Sequence, residues 1–112
     1  MKLSKDLLII IPARGSSQRL KDKNLRPLGR KKLIEHKIKQ SIDSGVGSVL
    51  VSTDSRKIAK ISENCGAWVP FLRPKKYATS RSTMMSCIVH TLNFLKSKNF
   101  ILPDYIAIFP PT

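Results

Sequence analysis

Acidic side chains are scarce in this 112-residue sequence: seven Asp and Glu stand against 21 Lys and Arg, a formal net charge of +14. No carboxylate pair lies at the spacing of a metal site, so a divalent ion needed for phosphate chemistry would have to be held by residues outside these 112. Cysteine is nearly absent as well. Cys65 and Cys87 are isolated, have no Cys or His at ligand spacing and fall at apolar positions of predicted helices. They read as buried free thiols rather than as a disulfide or a metal pair. No apolar run approaches the roughly 18 residues of a membrane span. Residues 1–11 lack the apolar core and small-residue cleavage site of a secretory signal. The default expectation is a cytoplasmic protein with no membrane partner. Aromatics number seven, and none precedes Trp68. The eight Lys and Arg of residues 14–32 therefore have no aromatic neighbours, whereas a single-strand binder would place stacking platforms among its cations. A polyanionic small molecule is favoured as partner over nucleic acid. A basic nucleic-acid-binding module stays as the rival reading, one that requires tight, steeply salt-dependent affinity for DNA or RNA.

What is present is organised around one stretch. The apolar run Leu7 to Ile11 reads as a buried strand of a parallel sheet. It is expected to end its pairing at Pro12 and to open into Ala13-Arg14-Gly15-Ser16-Ser17-Gln18-Arg19-Leu20-Lys21-Asp22-Lys23-Asn24. In such a loop small residues let backbone N–H groups approach phosphate oxygens while cations neutralise charge. In open α/β sheets, ligands sit beyond the carboxyl ends of the strands.

The rest of the chain supports that loop. Residues 13–29 are loop-like, and a helix over about 31–44 carries Ile34, Ile38 and Ile42 as its stripe, stopped by Gly45 and Gly47. Val49-Leu50-Val51 is a second strand. Asp54 or Ser55 is a natural N-cap for a helix bearing Ile58, Ile61 and Cys65. Ala67-Trp68-Val69 reads as a third strand. A helix over about 82–98 carries Met85, Ile88, Leu92 and Leu95, and Tyr105 to Phe109 is the last strand. The pattern β-α-β-α-β-α-β predicts an α/β fold with a parallel sheet. A four-stranded open sheet with bare edges would be marginal. The chain is therefore expected to be one domain, 1–112, forming the N-terminal part of a larger fold.

Within this frame Arg14 is a candidate fork to phosphate oxygens. Gly15, Ser16 and Ser17 supply candidate amide and hydroxyl donors. Lys23 can neutralise phosphoryl charge in a transition state. Asn24 can fix the loop or bond a sugar hydroxyl, whereas Arg19 and Lys21 read as solvated cations. Arg73 either reaches the same face as Arg14 or stands as a surface-loop cation. Asp54 is read as a helix cap, and His36 and His90 as packing residues without a catalytic role. Neither a Gly-Lys-Ser/Thr phosphate loop nor a dinucleotide fingerprint is present, since Gly45-Val46-Gly47 precedes a strand.

Ile11-Pro12-Ala13-Arg14-Gly15-Ser16-Ser17, Lys23-Asn24 and Arg26-Pro27-Leu28 resemble the opening signature of the acylneuraminate cytidylyltransferases, the CMP-sialic acid synthetases and their relatives. Val51-Ser52-Thr53-Asp54, Val69-Pro70-Phe71-Leu72-Arg73-Pro74 and Pro111-Thr112 resemble further blocks in the same order. The resemblance implies a Rossmann-like, three-layer nucleotide-diphospho-sugar transferase fold with a mostly parallel sheet, here incomplete at its C-terminus. It implies a reaction of CTP with a nonulosonic acid, giving a CMP-sugar for cell-surface polysaccharide and pyrophosphate. It also implies Mg²⁺ held beyond residue 112 and a homodimer for the full-length protein. By the same resemblance Arg14 and Lys23 contact the triphosphate, Ser17 and Asn24 help bind the nucleotide, and Arg73 contacts its cytidine part. Lys23-Asn24 favours this branch over the cytidylyltransferases for 3-deoxy-octulosonate. Ser16 departs from a usual glycine, no acid stands near Ser80, and Pro110 replaces a common base-contacting glutamine. The 112 residues alone are expected not to turn over. Another sugar acid, or a non-catalytic remnant, remains an alternative.

Overall fold

The computed structural model describes residues 6–15, 27–28, 31–74, 76 and 84–110. Three parallel strands form its centre: β1 (Leu7–Pro12), β4 (Ser48–Ser52) and β5 (Tyr105–Ile108), in the order β4-β1-β5. The short pair β2 (Pro27–Leu28) and β3 (Lys31–Lys32) is antiparallel and leads into helix α1 (Leu33–Ser44). Helices α2 (Arg56–Asn64) and α3 (Met84–Ser97) follow β4 and precede β5 respectively.

The period-2 alternation of a strand sorts side chains between two faces. Ile9, Ile11 and Ala13 of the β1 segment join Val49 and Val51 of β4 and pack against Ile34 and Ile38 of α1 and Ile58 of α2. Leu8, Ile10 and Leu50 face the other way, against Cys87 and Leu95 of α3. The sheet is thus covered on both faces, α1 and α2 on one and α3 on the other. Each fully buried Leu or Ile contributes about 1.5–3 kcal/mol relative to exposure.

Several expectations change in detail. Pro12 does not end the pairing: it lies in register with Ser52, and the Ala13 N–H donates to the Ser52 carbonyl at 2.9 Å. Successive N–H groups of a strand point to opposite sides. The donor that proline lacks would therefore face β5, whose ladder on β1 ends with Phe109 N–H on the Ile10 carbonyl. The expected third strand is a single parallel bridge, Leu50 with Trp68, closed by Trp68 N–H to Val49 O and Val51 N–H to Trp68 O, both 2.9 Å.

The helical stripes rotate as well. In α1 the inward positions are Ile34, Ile38 and Ser41, while Ile42 is exposed. Eight steps of about 100° carry Ile42 roughly 80° off the Ile34 direction, and seven steps bring Ser41 back within about 20°. In α3 the buried line is Cys87, Thr91 and Leu95, and Met85 is exposed. The Thr91 hydroxyl donates to the Cys87 carbonyl at 2.9 Å, which lets a polar side chain occupy that line. Helix α1 stops at Gly45, whose φ of 66° is left-handed and whose N–H closes on the Ile42 carbonyl. Cys65 is half-buried and Cys87 buried, and neither is in a disulfide. Among the described residues no helix is long and apolar enough to cross a membrane.

Strand order reverses at β1. The first crossover leads from β1 to β4 and on to Trp68, and the last strand, β5, lies on the other side of β1. The carboxyl end of β1 is therefore the topological switch point where an open α/β sheet leaves a crevice.

Candidate functional site

Parallel strands in matched register finish together. β1 delivers Ala13-Arg14-Gly15 beside the Ser52-Thr53-Asp54 end of β4, because Pro12 is the partner of Ser52. The segment 52–54 then acts as a row of acceptors. The Ser52 carbonyl takes the Ala13 N–H at 2.9 Å and the Arg73 Nη2 at 2.6 Å. Ser52 Oγ accepts from Arg73 Nε at 3.0 Å, and the Thr53 carbonyl accepts the Arg73 N–H at 2.7 Å. Asp54 Oδ1 accepts the Gly15 N–H at 2.8 Å.

Arg73 is buried, with 4% of its surface exposed, so it is not a surface-loop cation. A buried guanidinium is costly unless its donors are bonded, and the Ser52 contacts meet that need. Burial pushes its pKa below the ordinary arginine value; Cys87 and Asp54 oppose that shift and the Arg14 charge adds to it. Arg14, half-buried, thus shares the electrostatic neighbourhood of Arg73. Two cations and one carboxylate meet at the ends of β1 and β4. That arrangement can bind and orient an anion.

Gly15 plays a different part from the one expected of it. Its N–H, anticipated as a phosphate donor, is held by Asp54. A side chain at position 15 would begin 3.0 Å from Ser55 Cβ, so glycine permits the close approach of the two loops. Asp54 in turn is not the cap of α2. Ser55 is, with Oγ accepting the Ile58 N–H at 3.2 Å. Asp54 and Ser52 are the functional-site residues that sequence reasoning missed. The available signal was their place at the carboxyl end of a strand predicted to lie in the same parallel sheet as β1. Ser16, Ser17, Lys23 and Asn24 lie outside the described residues, as does Ser80. Pro110 is half-buried just past β5.

His90 of α3 packs its ring edge-on against Phe71, centroids 4.7 Å apart, and Phe71 also meets Phe94. Burial, followed by the charges of Arg73 and Lys76, lowers the His90 pKa below its ordinary value. The described residues contain no group of three or more His, Cys, Asp or Glu able to hold a metal ion, and Asp54 is turned to Gly15. No described residue is therefore assigned to a divalent ion.

The sequence profile of the cytidylyltransferases matches residues 8–98. The chain belongs to the cytidylyltransferase family. This cytidylyltransferase segment is 36% identical over 107 residues to the CMP-N,N'-diacetyllegionaminic acid synthase of Legionella pneumophila, covering 95% of this chain and 46% of that protein. It is 33% identical over 103 residues to a pseudaminic acid cytidylyltransferase of Campylobacter jejuni, covering 91% of this chain and 44% of the relative. With the N-acylneuraminate cytidylyltransferase of Escherichia coli it shares 34% identity over 109 residues, 95% of this chain and 24% of the other. The chain thus spans about half the length of the first two relatives. The profile match takes in both loop segments of the site, 13–15 and 52–54, and Arg73.

Proposed function

We propose that this chain carries the nucleotide-binding part of a cytidylyltransferase that joins CTP to a nonulosonic acid, releasing pyrophosphate. The observation that carries the reading is the convergence on Ser52, at the switch point of a parallel sheet, of the Ala13 N–H that precedes Arg14 and of the Arg73 guanidinium. The names of the three relatives, which act on legionaminic, pseudaminic and N-acylneuraminic acids, support the substrate class. In the proposed reaction the sugar's anomeric hydroxyl attacks the α-phosphorus of CTP. A new carbon–oxygen–phosphorus link forms, the bond to the pyrophosphate breaks, and the hydroxyl proton is lost.

Charge accumulates on the phosphoryl oxygens as that bond exchange proceeds. Fixed cations stabilise it without reorganising at the moment of reaction. Arg14 and Lys23 are assigned to the triphosphate, Ser16, Ser17 and Asn24 to the nucleotide, and Arg73 to its cytidine side. The Gly15 assignment is steric, since its N–H is engaged by Asp54. Mg²⁺ with ligands from elsewhere in a longer protein, a homodimer of that protein, a cytoplasmic location and a CMP-sugar destined for cell-surface polysaccharide complete the reading. Titration of the chain with CTP, UTP, ATP and GTP tests it. Preference for CTP is the expected outcome, and equal affinity for all four would overturn the assignment.

A further inference from the structure

Among the described residues, Asp54 is the one group at this site whose charge opposes the ligand. A carboxylate beside an anion-binding loop repels phosphate, so its presence calls for a compensating task. The structure supplies one. Its Oδ1 accepts the Gly15 N–H at 2.8 Å, across 39 residues of sequence, in a charge-assisted bond between two loops.

A second, independent observation concerns space. A Cβ at position 15 would lie 3.0 Å from Ser55 Cβ and 3.6 Å from Asp54 Oδ1, so the β1 loop is seated directly on the Asp54-Ser55 corner. That corner is itself rigid. Ser55 caps α2, and its N–H donates to Thr53 Oγ1 at 3.1 Å, with Thr53 fully buried.

We propose that Asp54 is the positioning residue for Arg14: its bond to the Gly15 N–H fixes how the Arg14-Gly15 step leaves β1, and so where Arg14 stands to meet a nucleotide's phosphates. The inference rests on reading that loop as the nucleotide site. Asp54 itself touches no substrate. Its geometry acts through Gly15, and its charge favours the charged form of the buried Arg73 guanidinium. The N–H that would otherwise be aimed into solvent or at the ligand is fixed to the sheet end. Arg14 and Gly15 are thereby ordered before the nucleotide arrives, which lowers the ordering cost of binding.

Two substitutions separate geometry from charge. Asp54→Asn keeps a carbonyl oxygen for Gly15 and removes the negative charge; Asp54→Ala removes both. Two readouts are taken on the full 112-residue chain: hydrogen exchange of the Gly15 amide by NMR, and CTP affinity by titration. The Gly15 amide is expected to be protected in the parent and in Asp54→Asn, with CTP bound at least as tightly by Asp54→Asn. Asp54→Ala is expected to lose that protection and to bind CTP about tenfold more weakly. Unchanged Gly15 exchange in Asp54→Ala overturns the proposal, as does equal weakening of CTP binding in both variants.

If Asp54→Ala does not fold, the seating is tested from the other side. Gly15→Ala, pressed against Ser55 Cβ, is expected to lose both amide protection and CTP affinity. Adding Ser55→Gly, a substitution that a helix cap tolerates, is expected to restore both; failure to restore them overturns the proposal. A parent chain with a protected Gly15 amide but no preference for CTP would sink the functional reading alone. The exchange data would still decide the clamp.

Discussion

The two strands that flank β1 are built from similar residues and end in different circumstances. β4, Ser-Val-Leu-Val-Ser, is buried at all five positions. It lies between β1 and the Trp68 bridge, with α1 and α2 over one face. β5, Tyr-Ile-Ala-Ile, is exposed at Tyr105 and only half-buried at its other three positions. Among the described residues it pairs with β1 alone. Both segments have the composition of interior parallel strands. Burial is therefore a property of a strand's neighbours as much as of its own residues. The side of the sheet that is fully enclosed is also the side whose end gathers the site: Ser52, Thr53 and Asp54 collect the β1 loop and Arg73 there.

The largest effects should fall on the enclosed side. Leu50→Ala removes a fully buried side chain from the face covered by α3 and is expected to cost about 2–5 kcal/mol. Tyr105→Ser, on the open strand with 73% of its surface exposed, should change stability by no more than about 0.5 kcal/mol. Urea unfolding of both variants reads the contrast, and comparable losses would show that the two sides are enclosed alike.

An intermediate effect is expected at the hub. Arg73→Met keeps the bulk of the stem but removes the donors to Ser52. It should cost about 1–3 kcal/mol and weaken CTP binding in the same titration. Loss of affinity at unchanged stability would identify Arg73 as a ligand group alone, without a part in holding the sheet end together.

The smallest effect, and the one that sharpens the picture on the α3 face, is a pH dependence. His90 has its pKa lowered in the folded state, by burial and then by Arg73 and Lys76. Below about pH 6.5 the unfolded chain takes up a proton that the folded chain resists. The stability associated with neutral His90 is therefore complete above about pH 6.5 and is lost as pH falls towards the folded-state pKa. The other ionisable groups follow their own courses, so the test is a difference. The melting temperature of His90→Asn should fall less between pH 7.5 and 5.5 than that of the parent. An identical slope in both would remove the cause assigned to that shift.

Much of the fold was legible in the residues. The apolar β1 run, the Val49-Leu50-Val51 strand, the helix stop at Gly45 and the alternation of strands and helices from there on follow local rules of periodicity and turn chemistry, whereas the short β2–β3 pair fell where a loop and the first turn of a helix were expected. The shortfalls have physical causes. The Ile34-Ile38-Ile42 stripe ignored the rotation that accumulates over two turns, which brings Ser41 inward. The Ala67-Trp68-Val69 strand reduced to one bridge because the next ladder donor would be residue 70, a proline without an N–H. At the site, Arg14 and Arg73 could be picked out as loop cations, but spacing alone left open whether Arg73 shares the face of Arg14 or lies on the surface. Asp54 was assigned to the nearest task, capping the helix beside it, when its partner lies 39 residues away.

The sequence by itself determined the class of the fold, the position of the basic loop after the first strand and the family signature that loop carries. Each of these is written in residues close to one another along the chain. Tertiary structure alone decided that Arg73 is buried on Ser52, that Gly15 spends its N–H on Asp54 and that β4 is enclosed while β5 is open. Those outcomes depend on parallel strands ending in register. Register is a relation between segments distant in sequence, and no local pattern encodes which acceptor will stand opposite a given donor.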